Sequence, residues 1–178
     1  MNRTFSLGTI VVILGFGMPA LAGPAPDAAI QDAFRLSRSA VPEQGWARFQ
    51  RLQATHPGLP ARTMATLQNR TKNHPDDGDA LFHLGVLQVV TGAPGDAAAT
   101  FAKATRVRPQ DAYAYAYQGF ALLESGAAKS AEVPLQMALK LDPKHPFATW
   151  ALGQVYYRQG NRQQAARLLN QAGHSHLL

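Results

Sequence analysis

The sequence predicts an all-α fold, a right-handed superhelix of antiparallel helix pairs (an α-solenoid). Two observations predict it. Small residues and prolines recur every 34 residues, and the segments between them have the apolar spacing of amphipathic helices. The columns are Gly85, Gly119 and Gly153; Gly92, Gly126 and Gly160; Ala97, Ala131 and Ala165; Phe101, Leu135 and Leu169; Ala104, Ala138 and Ala172; Pro109 and Pro143. Columns in register over this length indicate a repeat array.

The first 22 residues have the pattern of a signal peptide. Arg3 precedes an apolar run over residues 7–22, and the run ends in Ala20-Leu21-Ala22, the small-x-small pattern of a cleavage site. We expect cleavage before Gly23, export to a bacterial periplasm and no stable membrane insertion afterwards. The alternative is an uncleaved membrane anchor, which Pro19 disfavours. The chain has no cysteine, which excludes disulfides, thiol-ligated metal and c-type haem attachment.

Positive charge is concentrated near the N-terminus. Basic residues outnumber acidic ones by 17 to 11 in the whole chain. Residues 27–74 hold three acidic residues, Asp27, Asp32 and Glu43, against the basic residues Arg35, Arg38, Arg48, Arg51, Arg62, Arg70 and Lys72. A basic block can bind nucleic acid or anionic lipid. These charges are spaced like the solvated face of helices, and an exported protein rarely meets nucleic acid, so we expect no nucleic-acid partner.

The remaining chain divides into five segments. They are a leader and N-terminal helix over 23–41, a degenerate helix pair over 42–77, and repeats over 78–111, 112–145 and 146–178, the last with its tail. We expect Asp27 to cap the N-terminal helix. In the degenerate pair Leu67 and Pro75 match their columns, whereas Arg51 and Arg70 stand where small residues are expected.

Each clear repeat reads as a helix, a turn with glycine, a second helix and a terminating proline. A glycine inside a helix costs ~1 kcal/mol relative to alanine. Gly85 and its counterparts therefore predict a neighbouring backbone packed too close for a side chain. Pro134 lies inside the second helix of the middle repeat, and we expect it to bend that helix or loosen its first turns.

The last helix ends at Gly173, and no polar capping helix follows it. The outer face that carries Leu168 is therefore expected to be covered by the tail, by a second copy of the chain or by a partner. A homo-oligomer formed through this end is one of the expectations.

A 34-residue period of two helical patterns with these identities resembles the tetratricopeptide repeat, over Gly78 to about Gly173. The resemblance implies a superhelix with a concave surface, which the first helix of each pair lines and where ligands bind. The residues that it assigns to a peptide-binding groove are Phe82, Val86, Val89, Tyr113, Phe120, Leu123, Phe147, Trp150, Gln154, Tyr157 and Arg158.

This groove is mostly apolar and aromatic. An open surface of that kind marks a binding site, and its natural ligand is an extended segment or an amphipathic helix. For Phe82, Val86 and Leu123 the alternative of packing between helices stays open. A clamp for an acidic C-terminal carboxylate is not expected, because apolar residues take the places of its polar side chains, although Arg158 could grip one acidic group.

The sequence offers few candidate catalytic or metal-binding residues. His74, Asp76, Asp77, Asp79 and His83 could bind calcium, but we interpret them as a turn whose acids lie at the positive start of the next helix. Two histidines in the tail, His174 and His176, make a weak metal site. The chain has no nucleophile elbow and no phosphate loop. We therefore predict a protein that is not an enzyme and has neither metal nor cofactor.

The leading hypothesis is a periplasmic adaptor that binds a protein or peptide partner. Residues 67–112 are similar to the periplasmic repeat modules of cytochrome c maturation, which implies a place in that or another assembly pathway. The alternative is a scaffold of a pilus, secretion or polysaccharide-export complex that contacts its partners through the basic N-terminal helices. A small enzyme or metal binder is the third hypothesis, and the chain offers no convergent catalytic set for it.

Overall fold

A computed structural model describes residues 26–39 and 43–173, and these ranges contain helices and no strand. The helices are α1 (Pro26–Ser37), α2 (Glu43–Thr55), α3 (Leu59–Asn73), α4 (Gly78–Val90), α5 (Pro94–Val107), α6 (Ala112–Glu124), α7 (Ala128–Leu141), α8 (Pro146–Arg158) and α9 (Arg162–Gln171). The predicted signal peptide and the histidines of the tail lie outside these ranges. No helix within them is long and apolar enough to span a bilayer.

Three antiparallel helix pairs form the array. Helices α4 and α5, α6 and α7, and α8 and α9 pack within pairs, and α5 on α6 and α7 on α8 join one pair to the next. Each pair buries an apolar face that it could not cover alone, so stacking makes one continuous core. The predicted fold class, an all-α solenoid, is confirmed.

The glycine inside each first helix faces a large side chain of the second helix. A Cβ atom on Gly85 would lie 2.7 Å from Cζ of Phe101, and one on Gly153 would lie 2.9 Å from Cγ of Leu169. The expected close neighbour is backbone, and the structure places side chains of the Phe101 column nearest instead; among these glycines, only at Gly119 does a backbone atom, the carbonyl oxygen of Ala131, also come within 3.0 Å. Phe101 and Leu169 are fully buried, so the missing Cβ leaves room for the residue that fills the pair.

The second glycine column lies in the turn between paired helices. Gly92, Gly126 and Gly160 have φ angles of 84°, 88° and 81°. In this left-handed region a Cβ atom meets the backbone, and therefore glycine is favoured after the last turn of a helix.

Side-chain caps begin the first helices. The carboxylate of Asp77 accepts from the backbone N–H of Ala80 at 2.9 Å, and Asp111 accepts from Ala114 at 3.1 Å. In the third repeat Nδ1 of His145 takes the same place. The acidic run before α4 thus forms a turn and a cap. At the N-terminus α1 already begins at Pro26, so Asp27 lies inside the helix and not at the N-cap.

Pro134 does not interrupt its helix. Helix α7 is continuous from Ala128 to Leu141, and Pro134 is buried within it. The expected loosening of the first turns is therefore not seen. At the far end of the array Leu168 is half-buried against the core.

The N-terminal helices do not follow the repeat. Helix α2 packs mainly on α1 and makes few contacts with α3, which packs on α4. Gly45 lets α1 and α2 approach closely, since a Cβ atom there would lie 2.7 Å from the carbonyl oxygen of Ala33. Phe34 and Phe49 meet edge to face with ring centroids 5.0 Å apart. We call α1 and α2, with Arg38 and Ser39 after α1, the N-terminal hairpin.

We predict that Gly85→Ala destabilises the protein by roughly 1–3 kcal/mol, because the added methyl group overlaps the Phe101 ring. The matched control is Gly95→Ala on α5, where a Cβ atom meets nothing within 4 Å. That substitution should leave stability unchanged or raise it by up to about 1 kcal/mol. Urea denaturation of the two variants checks this, and equal losses would contradict the packing described above.

Candidate protein-binding groove

The first helices α4, α6 and α8 carry the residues that sequence reasoning assigned to the groove. Six are buried, each at most 3% exposed: Phe82, Val86, Val89, Phe120, Leu123 and Phe147. Tyr113, Trp150 and Gln154 are half-buried, and Tyr157 and Arg158 are exposed. For Phe82, Val86 and Leu123 the structure favours the alternative of packing between helices. The expectation of an open surface is wrong for Val89, Phe120 and Phe147, and the most exposed part of the face is the α8 end.

Trp46 of the N-terminal hairpin covers part of this face. Its indole stacks on Phe120 with centroids 5.1 Å apart and an interplanar angle of 14°. The edges of Phe147 and Tyr117 approach at 5.8 Å and 6.3 Å. We call Tyr117, Phe120 and Phe147 the aromatic pocket. Its residues come from two repeats, so the hairpin bridges them.

Arg38 occupies a second position on the same face. Its guanidinium carbon lies 3.8 Å from the centroid of the Phe82 ring, within the range of a cation–π contact. Nη1 of Arg38 lies 2.9 Å from one carboxylate oxygen of Asp111, and Nη2 lies 3.8 Å from Asp79. We call Asp79, Phe82 and Asp111 the basic-residue subsite.

Asp79 is itself held by the array. Arg108 donates two hydrogen bonds to its carboxylate, at 2.5 Å and 2.6 Å. Hydrogen bonding from Arg108 lowers the pKa of Asp79 from its ordinary value. Asp79 is therefore ionised, and Arg108 offsets much of its charge.

Two more contacts fix the hairpin on the array. The hydroxyl of Tyr117 donates to the backbone carbonyl of Ser37 at 2.9 Å, and both residues are fully buried. The ring of Phe34 stacks on His83 of α4, with centroids 4.1 Å apart. Burial, and after it the positive charge of Arg38, lower the pKa of His83 from 6.5 to about 4. His83 is therefore neutral at pH 7.

The hairpin leaves several of its own polar atoms without hydrogen bonds. Among the described residues, Nη2 of Arg38, Nε1 of Trp46 and Nε of Arg48 are buried and form none. A buried unsatisfied polar group costs ~1–3 kcal/mol. The hairpin packs its apolar side chains closely on the array, but three of its buried polar atoms form no hydrogen bond. These atoms lower the stability of its docking.

The open end of the face lies on α8. Tyr157 is 49% exposed there, and Trp150 stacks on Phe147 with centroids 5.7 Å apart. Arg158 turns toward α6, where it donates to the carbonyl of Leu123 at 2.6 Å and to Glu124 at 3.0 Å. An acidic ligand would have to compete with Glu124 for Arg158.

A cavity of about 380 Å³ lies beside the hairpin, between α1, α3 and α4. Phe34, Leu67, Arg70, Asp79 and His83 are among the residues that line it. The neighbouring cleft of about 460 Å³ is lined by Arg70, His74, Asp76 and Asp77. No cluster of three or more potential metal ligands occurs in the described ranges.

Sequence reasoning did not assign Trp46, Arg38, Tyr117 or His83 to the groove. One signal could have found Trp46. The segment over 42–77 departs from the small-residue columns at Arg51 and Arg70, which indicates a segment that does not stack as a repeat. A lone tryptophan on such an amphipathic helix needs another apolar surface to cover it.

Residues 122–176 match the family model of the tetratricopeptide repeat. These residues therefore form a tetratricopeptide-repeat segment within the chain. No curated protein matches this chain by sequence. The repeat is a protein-interaction module, which makes binding of a protein or peptide the class of function for this fold.

Solved structures share the fold at low identity. MamA MSR-1 is 21% identical with a TM-score of 0.59, and the match covers 83% of this chain and 91% of that one. TTC0263, a thermophilic tetratricopeptide protein of Thermus thermophilus, is 19% identical with a TM-score of 0.55, covering 84% and 92%. YrrB, whose structure is described as having an unusual peptide-binding site, is 19% identical with a TM-score of 0.52, covering 83% and 84%. At these identities the likeness shows the fold.

We predict that the free energy of unfolding falls as pH decreases from 6.5 to 4. The unfolded chain binds a proton at His83 in this window and the folded chain does not, so stability is full above pH 6.5 and is lost toward pH 4. The loss from this group is on the order of 3 kcal/mol.

His83→Phe is the control, since it keeps a ring against Phe34 and cannot titrate. The wild-type protein should lose more stability than this variant between pH 6.5 and 4 in urea titrations. His145, whose pKa burial also lowers, contributes equally to both proteins. Parallel pH profiles would show that His83 is not buried as described.

Proposed function

We propose that this protein is a non-enzymatic adaptor that binds a peptide or amphipathic segment of a partner protein on its concave face. The observation that carries the proposal is the aromatic surface at the α8 end. Tyr157 is exposed there, and Trp150 extends the ring stack of the aromatic pocket toward it. Aromatic side chains anchor protein interfaces because they bury a large area at low cost in conformational entropy.

We further propose that the adaptor is exported and acts in the periplasm. The signal-peptide pattern of residues 1–22 supports this. Assembly of c-type cytochromes or of another envelope complex is the pathway that the resemblance of residues 67–112 favours. A partner of that kind would offer a short apolar or helical C-terminal segment to the groove.

A second candidate is a scaffold subunit that uses the outer surface of its N-terminal helices. The specific observation in its favour is that the hairpin fills much of the concave face while Arg51 and Arg62 point to solvent. In this candidate the basic side chains contact the acidic surface of a neighbouring subunit, and the groove has only an internal role.

A photo-reactive residue at Tyr157 tests the adaptor in intact cells. We expect one dominant crosslinked partner, identified by mass spectrometry, whose yield falls several-fold when Trp150→Ala is added. The control carries the same reactive residue at Val133, which is 72% exposed on α7 and lies off the first helices. Substitution of Phe120 is unsuitable here because its ring is buried.

The outcomes separate the two candidates. Equal products at positions 157 and 133 would argue against groove binding. Products that survive Trp150→Ala and vanish with Arg51→Glu and Arg62→Glu together would favour the scaffold.

A further inference from the structure

We infer that the ligand of the groove is a helical segment of a partner with an aromatic residue in its first turn and a basic residue just before the helix. This segment would take the place of the N-terminal hairpin, which acts as an internal competitor. The inference rests on the proposed function and adds the chemistry of the ligand. The hairpin supplies the template, because it shows which side chains the concave face accepts.

The aromatic pocket determines the first requirement. Its three rings surround Trp46 on one face and two edges, at centroid distances between 5.1 Å and 6.3 Å. This arrangement suits a planar apolar side chain and has no partner for the indole Nε1. A phenylalanine in the ligand would keep the stacking and bury no unpaired N–H, so it would compete well with Trp46.

The basic-residue subsite determines the second requirement. Asp111 forms the closer ion pair with Arg38, and the Phe82 ring offers its face to the cation. Asp111 also caps α6, which holds its carboxylate in place without the hairpin. An arginine or lysine of the ligand would meet the same charges, and an acidic residue would be repelled.

The order of the two residues along the ligand follows from the hairpin. Arg38 comes directly after α1, and Trp46 lies in the first turn of α2. The ligand therefore enters the groove with its basic residue over the first repeat and its aromatic residue between the second and third. Its helix would then run back over the first repeat, as α2 runs from Trp46 toward α3 and α4.

The hairpin is suited to displacement. Three of its polar atoms form no hydrogen bond, and α2 makes few contacts with α3, the next helix along the chain. Its advantage is the covalent connection, which gives an effective concentration in the ~mM range. The apparent affinity of a free ligand equals its intrinsic affinity multiplied by the fraction of molecules whose groove is open.

The test uses the full-length protein and a fluorescein-labelled peptide of this chain's own residues 34–55, followed by fluorescence anisotropy. The wild-type protein should bind this peptide weakly. Trp46→Ala in the protein should bind it at least about tenfold more tightly, since the internal competitor loses its anchor. Trp46→Phe in the protein is the matched control and should behave like the wild type.

Two further arms report on the subsites. A peptide with Trp46→Ala should lose affinity for the opened protein, and so should a peptide with Arg38→Glu. Thermal unfolding of the Trp46→Ala protein, followed by circular dichroism, shows whether the array stays folded. A gain of binding in a folded variant cannot come from loss of structure.

Equal affinity of wild-type and Trp46→Ala proteins would overturn the hairpin as a competitor. No binding to either protein would overturn the chemistry proposed for the ligand. Neither result affects the crosslinking test at Tyr157, so the proposed adaptor function is tested independently of the ligand chemistry. A crosslinked partner whose yield is unchanged by Trp46→Ala would keep the adaptor and reject this inference.

Discussion

Each repeat depends on one close approach between its two helices, where a glycine of the first helix meets a large apolar side chain of the second. The ring of Phe101 occupies the space that a Cβ on Gly85 would need, and Leu169 does the same at Gly153. This contact determines which side of the first helix turns inward to its partner. The neighbouring side of the first helices carries Phe82, Phe120 and Phe147, and the Phe82 ring also meets Phe101 edge to face with centroids 5.6 Å apart. The groove is a consequence of the pairing.

That concave face is apolar enough to require a cover. Large apolar surfaces are rare on soluble proteins unless a ligand or a partner covers them. Here the chain supplies the cover itself, with Trp46 against three aromatic rings and Arg38 between Asp111 and Phe82. The same residues that make the face a binding surface make it attractive to the nearest amphipathic segment of the chain.

The repeat could be predicted from the sequence because its determinants are local and recur. Gly92 and its counterparts occur where a left-handed turn is required, and the small residues of the array follow a fixed interval. The hairpin has no such pattern. Its position depends on contacts such as that between Trp46 and Phe147, which are about a hundred residues apart and occur once. Periodicity carries no information on a contact that is made once.

The same limit explains the error at the groove. The resemblance assigned Phe82, Phe120 and Phe147 to an open groove, and it could not show that contacts such as that of Trp46 with Phe120 bury them. Gly85 gave a similar result. The cost of a helical glycine predicted a close neighbour, and it did not distinguish a backbone from the Phe101 side chain. Neither prediction identified the side chain that makes the contact, which is Trp46 in one case and Phe101 in the other.

The contact between Trp46 and the third repeat also changes how the array should fold. A solenoid of nearest-neighbour contacts can begin folding at any repeat and can fray from its ends. Trp46 joins α2 to α6 and α8, so this part of the hairpin contact is complete only when the last repeat has formed. This long-range closure raises the contact order and slows the final step of folding. It also couples the two ends of the described structure, because unfolding of the third repeat would remove the contact between Phe147 and Trp46.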